Sequence, residues 1–299
     1  MQMDAVDKLE VPQGKKFDLK ICDPGWVPSW VADYETEKGK KAAKDQASEI
    51  IEANRQKLVS RQELFWASDT YSMLIILQGM DAAGKDGVIS HVMSGVNPQG
   101  CEVHGFKTPT EEEVNHDFLW RYIKVLPERG HIGIFNRSYY EDVLIVKVRP
   151  EILEKLPSGP TGKSFWKERY EDINMFEQHL VRNGTIILKF FLNISREKQK
   201  QRLLKRLQDP DKSWKFSLTD LSEREKWSEY MDAYEDALNH TNTPWAPWYV
   251  IPADKKWVSH AAISEIIVSR IENLKLKYPT LTAEQAEAFE KAKAQLEKE

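Results

Sequence analysis

The chain has 299 residues but only two cysteines, Cys22 and Cys101, placed far apart. No disulfide framework and no cysteine-rich metal site can be built from them. It has no run close to the ~20 consecutive apolar residues of a membrane span. The first residues, Met1-Gln2-Met3-Asp4, are polar and contain no apolar signal core. A soluble cytoplasmic protein with no membrane partner is therefore expected. Positive charge is not in excess either, since the formal net charge is -4. Global charge gives no reason to expect a nucleic-acid partner, and any polyanion site must come from local clustering of basic residues. Internal repeats and low-complexity segments are absent too. The chain does contain 41% apolar residues and ten tryptophans. That is enough for a substantial core in one large or two small domains.

Residues 1–35 hold scattered Pro and Gly without periodicity and read as an N-terminal arm. Residues 36–67 read as a long charged helix, with Ile50, Ile51, Leu58 and Leu64 near helical spacing. The pattern then changes to short apolar runs at 72–78, 132–135, 185–192 and 248–251, with a further strand expected at 101–106. Runs apolar at successive positions suit strands covered on both faces. Helical stretches separate them: 110–126, opened by a Thr110/Glu113 capping box, then 163–183, and one opened by Ser222/Glu225. That last helix carries Trp227, Met231, Tyr234 and Leu238 on one face. The alternation implies an α/β fold, a parallel sheet flanked by helices on both faces. Residues 36–279 would form this domain and 280–299 a peripheral charged helix.

The first strand runs straight into Gly79-Met80-Asp81-Ala82-Ala83-Gly84-Lys85-Asp86-Gly87. Gly79, Gly84 and Lys85 match the start of a P-loop. Glycines allow a tight turn with several N–H groups pointing inward, the next helix adds its positive end, and Lys85 adds a full charge. The motif is short, so its place between a strand and a helix carries the argument. Asp86 stands where a P-loop usually has a Ser or Thr hydroxyl on Mg²⁺. Asp81 is then the nearest metal candidate, because a carboxylate in an anion cradle calls for a cation between it and phosphate. The plainer alternative is an Asp that only fixes the turn.

The strand at 132–135 leads into Asn136-Arg137-Ser138-Tyr139-Tyr140-Glu141-Asp142. Arg137 would sit at the carboxyl edge of the sheet and clamp a phosphate, or else form an ion pair with Glu141 or Asp142. Asn136, Glu141 and Asp142 all remain open as metal ligands. Residues 196–206 contain six basic residues and one acidic. Lys198, Arg202 and Arg206 fall at i, i+4 and i+8, and Lys205 lies beside them. These residues suit a basic lid over about 196–220, continued by Pro210, Lys212, Trp214 and Lys215.

Together with Phe106-Lys107-Thr108-Pro109-Thr110, Asp117-Phe118-Leu119-Trp120-Arg121 and Trp214-Lys215-Phe216, these motifs closely resemble the polyphosphate kinase 2 family over roughly residues 40–275. The resemblance implies a P-loop kinase-like core with a helical lid. It also implies reversible phosphoryl transfer between inorganic polyphosphate and nucleoside mono-, di- and triphosphates, with Mg²⁺ or Mn²⁺, in a homo-oligomer (dimer or tetramer). Polyphosphate would be held by Gly79, Ala82, Ala83, Gly84, Lys85, Asp86, Gly87, Arg137, Lys198, Arg202, Lys205 and Arg206. Nucleotide would be held by Lys107, Thr108, Arg121, Asn136, Glu141 and Asp142, and metal by Asp81 and Glu141. Asp81, Lys85, Arg137, Arg202 and Arg206 would carry catalysis. Most of the family has Asp at the position of Asn136 and Asn at that of Glu141. Asn followed by Glu is the pattern of the class III subgroup, whose members phosphorylate both AMP and ADP. An ATP-dependent nucleoside monophosphate kinase is the competing reading of the same loop.

Overall fold

The structure, a computed structural model, describes residues 5–149, 151–152 and 163–299. The polar start expected at 1–4 lies outside the described residues. Five parallel strands form one sheet: β1 (Ser72–Gln78), β2 (Cys101–Gly105), β3 (Ile132–Asn136), β4 (Thr185–Asn193) and β5 (Trp248–Pro252), in the spatial order β2-β3-β1-β4-β5. Every residue of β1 is buried, as its unbroken apolar run requires. Leu77 pairs with Asn136, and Gln78 pairs with Phe191. The carboxyl ends of β1, β3 and β4 therefore open on one edge. The chain order reverses at β1, the place where open α/β sheets form a ligand crevice.

One face of the sheet is covered by α2 (Glu37–Ser68), α3 (Lys85–Val92) and α11 (Lys256–Glu272), and the other by α6 (Glu141–Val148), α7 (Lys163–Arg182) and α10 (Trp227–Thr241). Helix α2 begins where its sequence says it should, with Thr36 Oγ1 accepting from Gly39 N at 2.9 Å. Its buried stripe is Ala43, Ala47, Asn54, Leu58, Gln62 and Phe65, with Ile50, Ile51 and Leu64 only half-buried. Before it, α1 (Ala5–Leu9) leads to Val11 N, which donates to Trp248 O at 2.8 Å. Leu9, Val11, Phe17 and Leu19 are buried in the main core, so this segment covers the β5 edge.

Two expected helices differ. The stretch 110–126 forms α4 (Glu111–Val114) and α5 (Trp120–Ile123) instead of one helix. The Thr110/Glu113 capping box is present, but Asp117 Oδ1 accepts from Leu119 N at 2.9 Å and closes a turn that breaks the run. Ser222 does not cap a helix. It lies within α9 (Thr219–Glu225), its hydroxyl donating back to Thr219 O, and the chain breaks at Lys226 before α10. The basic segment forms α8 (Arg196–Gln208), capped by Ser195. At the end of the chain, α12 (Ala283–Leu296) buries no residue. Among the described residues no helix is long and apolar enough to cross a membrane.

Candidate functional site

The loop between β1 and α3 is pressed against its neighbours. Gly79 has φ 148°, and a Cβ there would lie 2.9 Å from Leu192 O, so no other residue fits without movement. Gly84 has φ 115° and Ala82 has φ 61°. The loop's carbonyls are taken from outside. Arg202 on α8 donates to Ala82 O at 2.9 Å and Ala83 O at 2.8 Å, and also to Ala253 O at 2.6 Å in the β5–α11 connection. Gln199 donates to Asp81 O at 3.0 Å and is itself held by Arg224 at 2.9 Å. With carbonyls drawn outward, the loop's remaining N–H groups are left to face an anion.

Lys85 opens α3, is buried, and curls back to donate to Gly79 O at 2.5 Å. Burial pushes its ammonium down to about 8, helped by the charge of Arg137 and opposed by Asp81, Glu141 and Asp86. Arg137 follows β3 with φ 66°, its N–H donating to Leu77 O at 3.0 Å. That twist turns its guanidinium back over the loop. It meets Asp81 at 2.5 Å and Glu141 at 3.4 Å, and it does not pair with Asp142. The charge of Glu141, joined by that of Asp81, raises the Arg137 pKa further, outweighing burial, which lowers it. With its amide assigned by its partners, nitrogen toward the carboxylate, Gln78 donates to Glu141 Oε1 at 2.9 Å and accepts from Ser138.

Asn136 donates to Asp86 Oδ1 at 2.9 Å, and Lys215 lies 3.5 Å from the other oxygen. Burial pushes the Asp86 carboxyl up, but the Asn136 hydrogen bond and the charges of Lys215 and Lys85 outweigh it and hold the group below its ordinary value. On the lid side Asp220 accepts from Arg206 at 3.3 Å. Its carboxyl is raised, first by burial and then by the charge of Asp81.

Behind the Arg137–Glu141 segment lies a fully buried polar cluster. Lys189 on β4 and Glu177 on α7 pair at 2.7 Å with neither side chain exposed. Tyr139 and Tyr140 each donate to Glu177 Oε1 at 2.9 Å, and Lys189 donates to Thr241 O at 2.7 Å. The pair and its hydrogen bonds anchor the segment that carries Arg137.

The expected residues fall into three places. Gly79, Asp81, Ala82, Ala83, Gly84, Lys85, Asp86 and Gly87 share the loop, with Asn136, Arg137 and Glu141 beside it. The basic stripe is divided, because its side chains leave α8 in different directions. Arg202 braces the loop from behind, Arg206 turns to Asp220 and Lys215 O, Lys198 reaches Gln201 at 3.1 Å, and Lys205 is exposed. On the far side of β3, Arg121 donates to Lys107 O at 3.0 Å and pairs with Glu113 at 3.4 Å, while Lys107 and Thr108 are exposed. Burial raises the Asp142 carboxyl to about 7, against the charges of Arg169 and Arg121.

Sequence reasoning did not find Gln78, Gln199, Asp220 or the Glu177–Lys189 pair. Only Lys189 left a signal, as a charge inside an apolar strand. Among the described residues no three His, Cys, Asp or Glu side chains form a metal cage. Asp81 and Glu141 both approach the Arg137 cation, a donor pair that fits a hard divalent ion if phosphate and water oxygens complete its shell.

The family model described as Polyphosphate kinase 2 (PPK2) matches residues 41–279. An ADP-polyphosphate phosphotransferase of Rhodopseudomonas palustris is 49% identical over 278 residues, covering 92% of each chain. An AMP/ADP-polyphosphate phosphotransferase of Meiothermus ruber is 42% identical, covering 91% of this chain and 95% of that one. Among solved structures, Polyphosphate Kinase 2 from Arthrobacter aurescens superposes with a TM-score of 0.83 at 38% identity, covering 97% and 98% of the two chains.

Proposed function

The chain belongs to the polyphosphate kinase 2 family, and from that premise we propose that it transfers the terminal phosphoryl group of inorganic polyphosphate to nucleotides, AMP to ADP and ADP to ATP, reversibly. Its similarity to relatives named for ADP and for AMP/ADP supports both acceptors. The observation that carries the proposal is the convergence of Lys85 and Arg137 with Asp81 and Glu141 where β1 and β3 end.

An oxygen of the acceptor's terminal phosphate attacks the terminal phosphorus of the polyphosphate. The anhydride P–O bond breaks, and the shortened polyphosphate leaves with that oxygen and its electron pair. The attacking oxygen is already ionised, so no strong general base is required, and the work is positioning and charge neutralisation. The loop N–H groups and Lys85 cradle the donor, and Arg137 leaves Asp81 to hold the transferring group. Gln199 and Arg202 keep the loop in shape from α8, while Arg206, Lys198 and Lys205 supply positive charge on the lid segment 196–220. Lid closure would exclude water and suppress hydrolysis. Asp81 and Glu141 would hold Mg²⁺ or Mn²⁺, which would supply charge neutralisation for the phosphate groups. Nucleotide would lie toward Lys107, Thr108, Arg121, Asn136 and Asp142. A cytoplasmic homo-oligomer, dimer or tetramer, belongs to the same proposal.

The test is an incubation of ADP, polyphosphate and Mg²⁺ with no other phosphoryl donor. ATP should form with the wild type and fall sharply with Lys85→Ala. Absence of ATP with the wild type overturns the proposal.

A further inference from the structure

Gln199 and Arg202 can brace the phosphate loop only if α8 turns one particular face toward it. Ser195, Gln199 and Arg202 fall at i, i+4 and i+7, so they share that face. The rotation of the helix is set at its start. The β4–β5 pairing ends with Asn193 beside Pro252, and two residues further along each chain Ser195 meets Asp254. The Asp254 carboxylate accepts from Ser195 N at 2.8 Å and from Ser195 Oγ at 2.8 Å. Ser195 Oγ in turn accepts from Lys198 N at 3.1 Å and caps α8. Two hydrogen bonds to one carboxylate fix both the place and the rotation of the first turn, where a single bond would leave a pivot. A negative charge at this end of a helix is also favourable.

The backbone of the same segment meets Arg202. That side chain donates to Ala253 O at 2.6 Å and Asp254 O at 3.2 Å, and with its other terminal nitrogen to Ala82 O and Ala83 O. Burial lowers the Arg202 pKa, and the Asp254 charge opposes it. Residues 253 and 254 are themselves anchored. Ala253 N donates to Asn193 O at 2.9 Å, and Asp254 N donates to Pro24 O at 3.1 Å in the N-terminal arm. Beside it, Lys255 donates to Gly25 O and Asn193 donates to Cys22 O. Asp254 is thus tied to the arm, to the start of α8 and to the guanidinium that holds the loop.

We propose that Asp254 is a positioning residue for the transfer. Through Ser195 and Arg202 it sets the angle at which α8 holds the carbonyls of Asp81, Ala82 and Ala83, and so the shape of the polyphosphate cradle. This rests on the polyphosphate:nucleotide transfer proposed above. A distorted cradle holds polyphosphate badly and leaves the nucleotide side, toward Lys107 and Arg121, as it was.

The full-length wild type is first assayed with ADP, polyphosphate and Mg²⁺. KM is then measured for each substrate in Asp254→Ala, Ser195→Ala and Ser195→Thr. Asp254→Ala should lower kcat/KM for polyphosphate by about 10², the cost of a misplacement of about 1 Å, and leave KM for ADP unchanged. Ser195→Ala should move the same constant in the same direction, and Ser195→Thr, which keeps the hydroxyl, should behave as wild type. Adding Asp254→Ala to Arg202→Ala should lower the constant no further, because the two act along one path. Variants that lose only active fraction, with both KM values unchanged, or in which both KM values rise together, overturn the positioning role alone. If circular dichroism shows Asp254→Ala unfolded, the Ser195 pair decides: equal polyphosphate constants in Ser195→Ala and wild type overturn the role. No transfer by the wild type overturns the function and the positioning role together.

Discussion

Arg137 and Asp81, 56 residues apart in sequence, meet at 2.5 Å across the ends of two neighbouring strands. The pair neutralises itself within the cradle: the guanidinium proposed to hold phosphate is paired with the carboxylate proposed to hold metal. Binding both ligands exchanges one ion pair for two, so metal and polyphosphate should bind with positive coupling. Asp81→Asn should weaken metal dependence and this coupling, read as the change in polyphosphate Kd with and without Mg²⁺. Equal coupling in Asp81→Asn and wild type would contradict the exchange.

Arg137→Ala should lower kcat by about 10² or more, the effect of losing one preorganised donor. Arg137→Lys should recover little of it, because an ammonium cannot reproduce the planar fork. Steady-state assays of both variants check this, and near-normal turnover in either would remove Arg137 from the chemistry.

The buried Lys85 ammonium, at about 8, gives a pH signature. Its pKa is depressed in the free protein by burial and Arg137, against Asp81, Glu141 and Asp86. Below 8 the group is charged and ready for an anion; above 8 it is neutral. Polyphosphate favours the charged form, so affinity should weaken as pH rises through about 8, and binding at that pH should take up protons. Calorimetry in buffers of different ionisation enthalpy measures the uptake. In Lys85→Met the proton uptake should largely disappear, and its persistence would assign it to another group.

The Glu177–Lys189 pair should be expensive to break and cheap to replace. Lys189→Met alone strands a buried carboxylate and should cost about 3–5 kcal/mol of stability. The double change Lys189→Met with Glu177→Gln should cost clearly less, because no unpaired charge remains. Urea denaturation of the three proteins checks this. Equal losses in single and double variants would show that the charges are not coupled.

Much of the fold could be read from the sequence because its strands are buried on both faces. Runs such as 72–78 and 248–251 leave little choice, and the loop at 79–87 is marked by glycines that only a tight turn explains. The long helix at 37–68 was marked by the near-helical spacing of Ile50, Ile51, Leu58 and Leu64. Helix boundaries inside 110–126 and around Ser222 were not legible, since a local hydrogen bond at Asp117 and a mid-helix serine look like continuation and capping. The placement of Lys85 and Arg137 beside the loop was legible, because one opens the helix after β1 and the other directly follows β3. The site was not legible where the direction of a side chain decides its role. Spacing alone put Lys198, Arg202 and Arg206 on one stripe, yet Arg202 bonds to four backbone carbonyls and Arg206 to a lid acid. Gln78 and Gln199 gave no sign, because an amide's partner is set only by tertiary contact.

The most direct test supplies AMP, long-chain polyphosphate and Mg²⁺, with ATP and ADP removed, and follows nucleotides by chromatography. ADP should appear first and ATP after it, with the polyphosphate shortening in step. Unchanged AMP, with ADP forming only when ATP is added, would contradict the account and favour an ATP-dependent nucleoside monophosphate kinase.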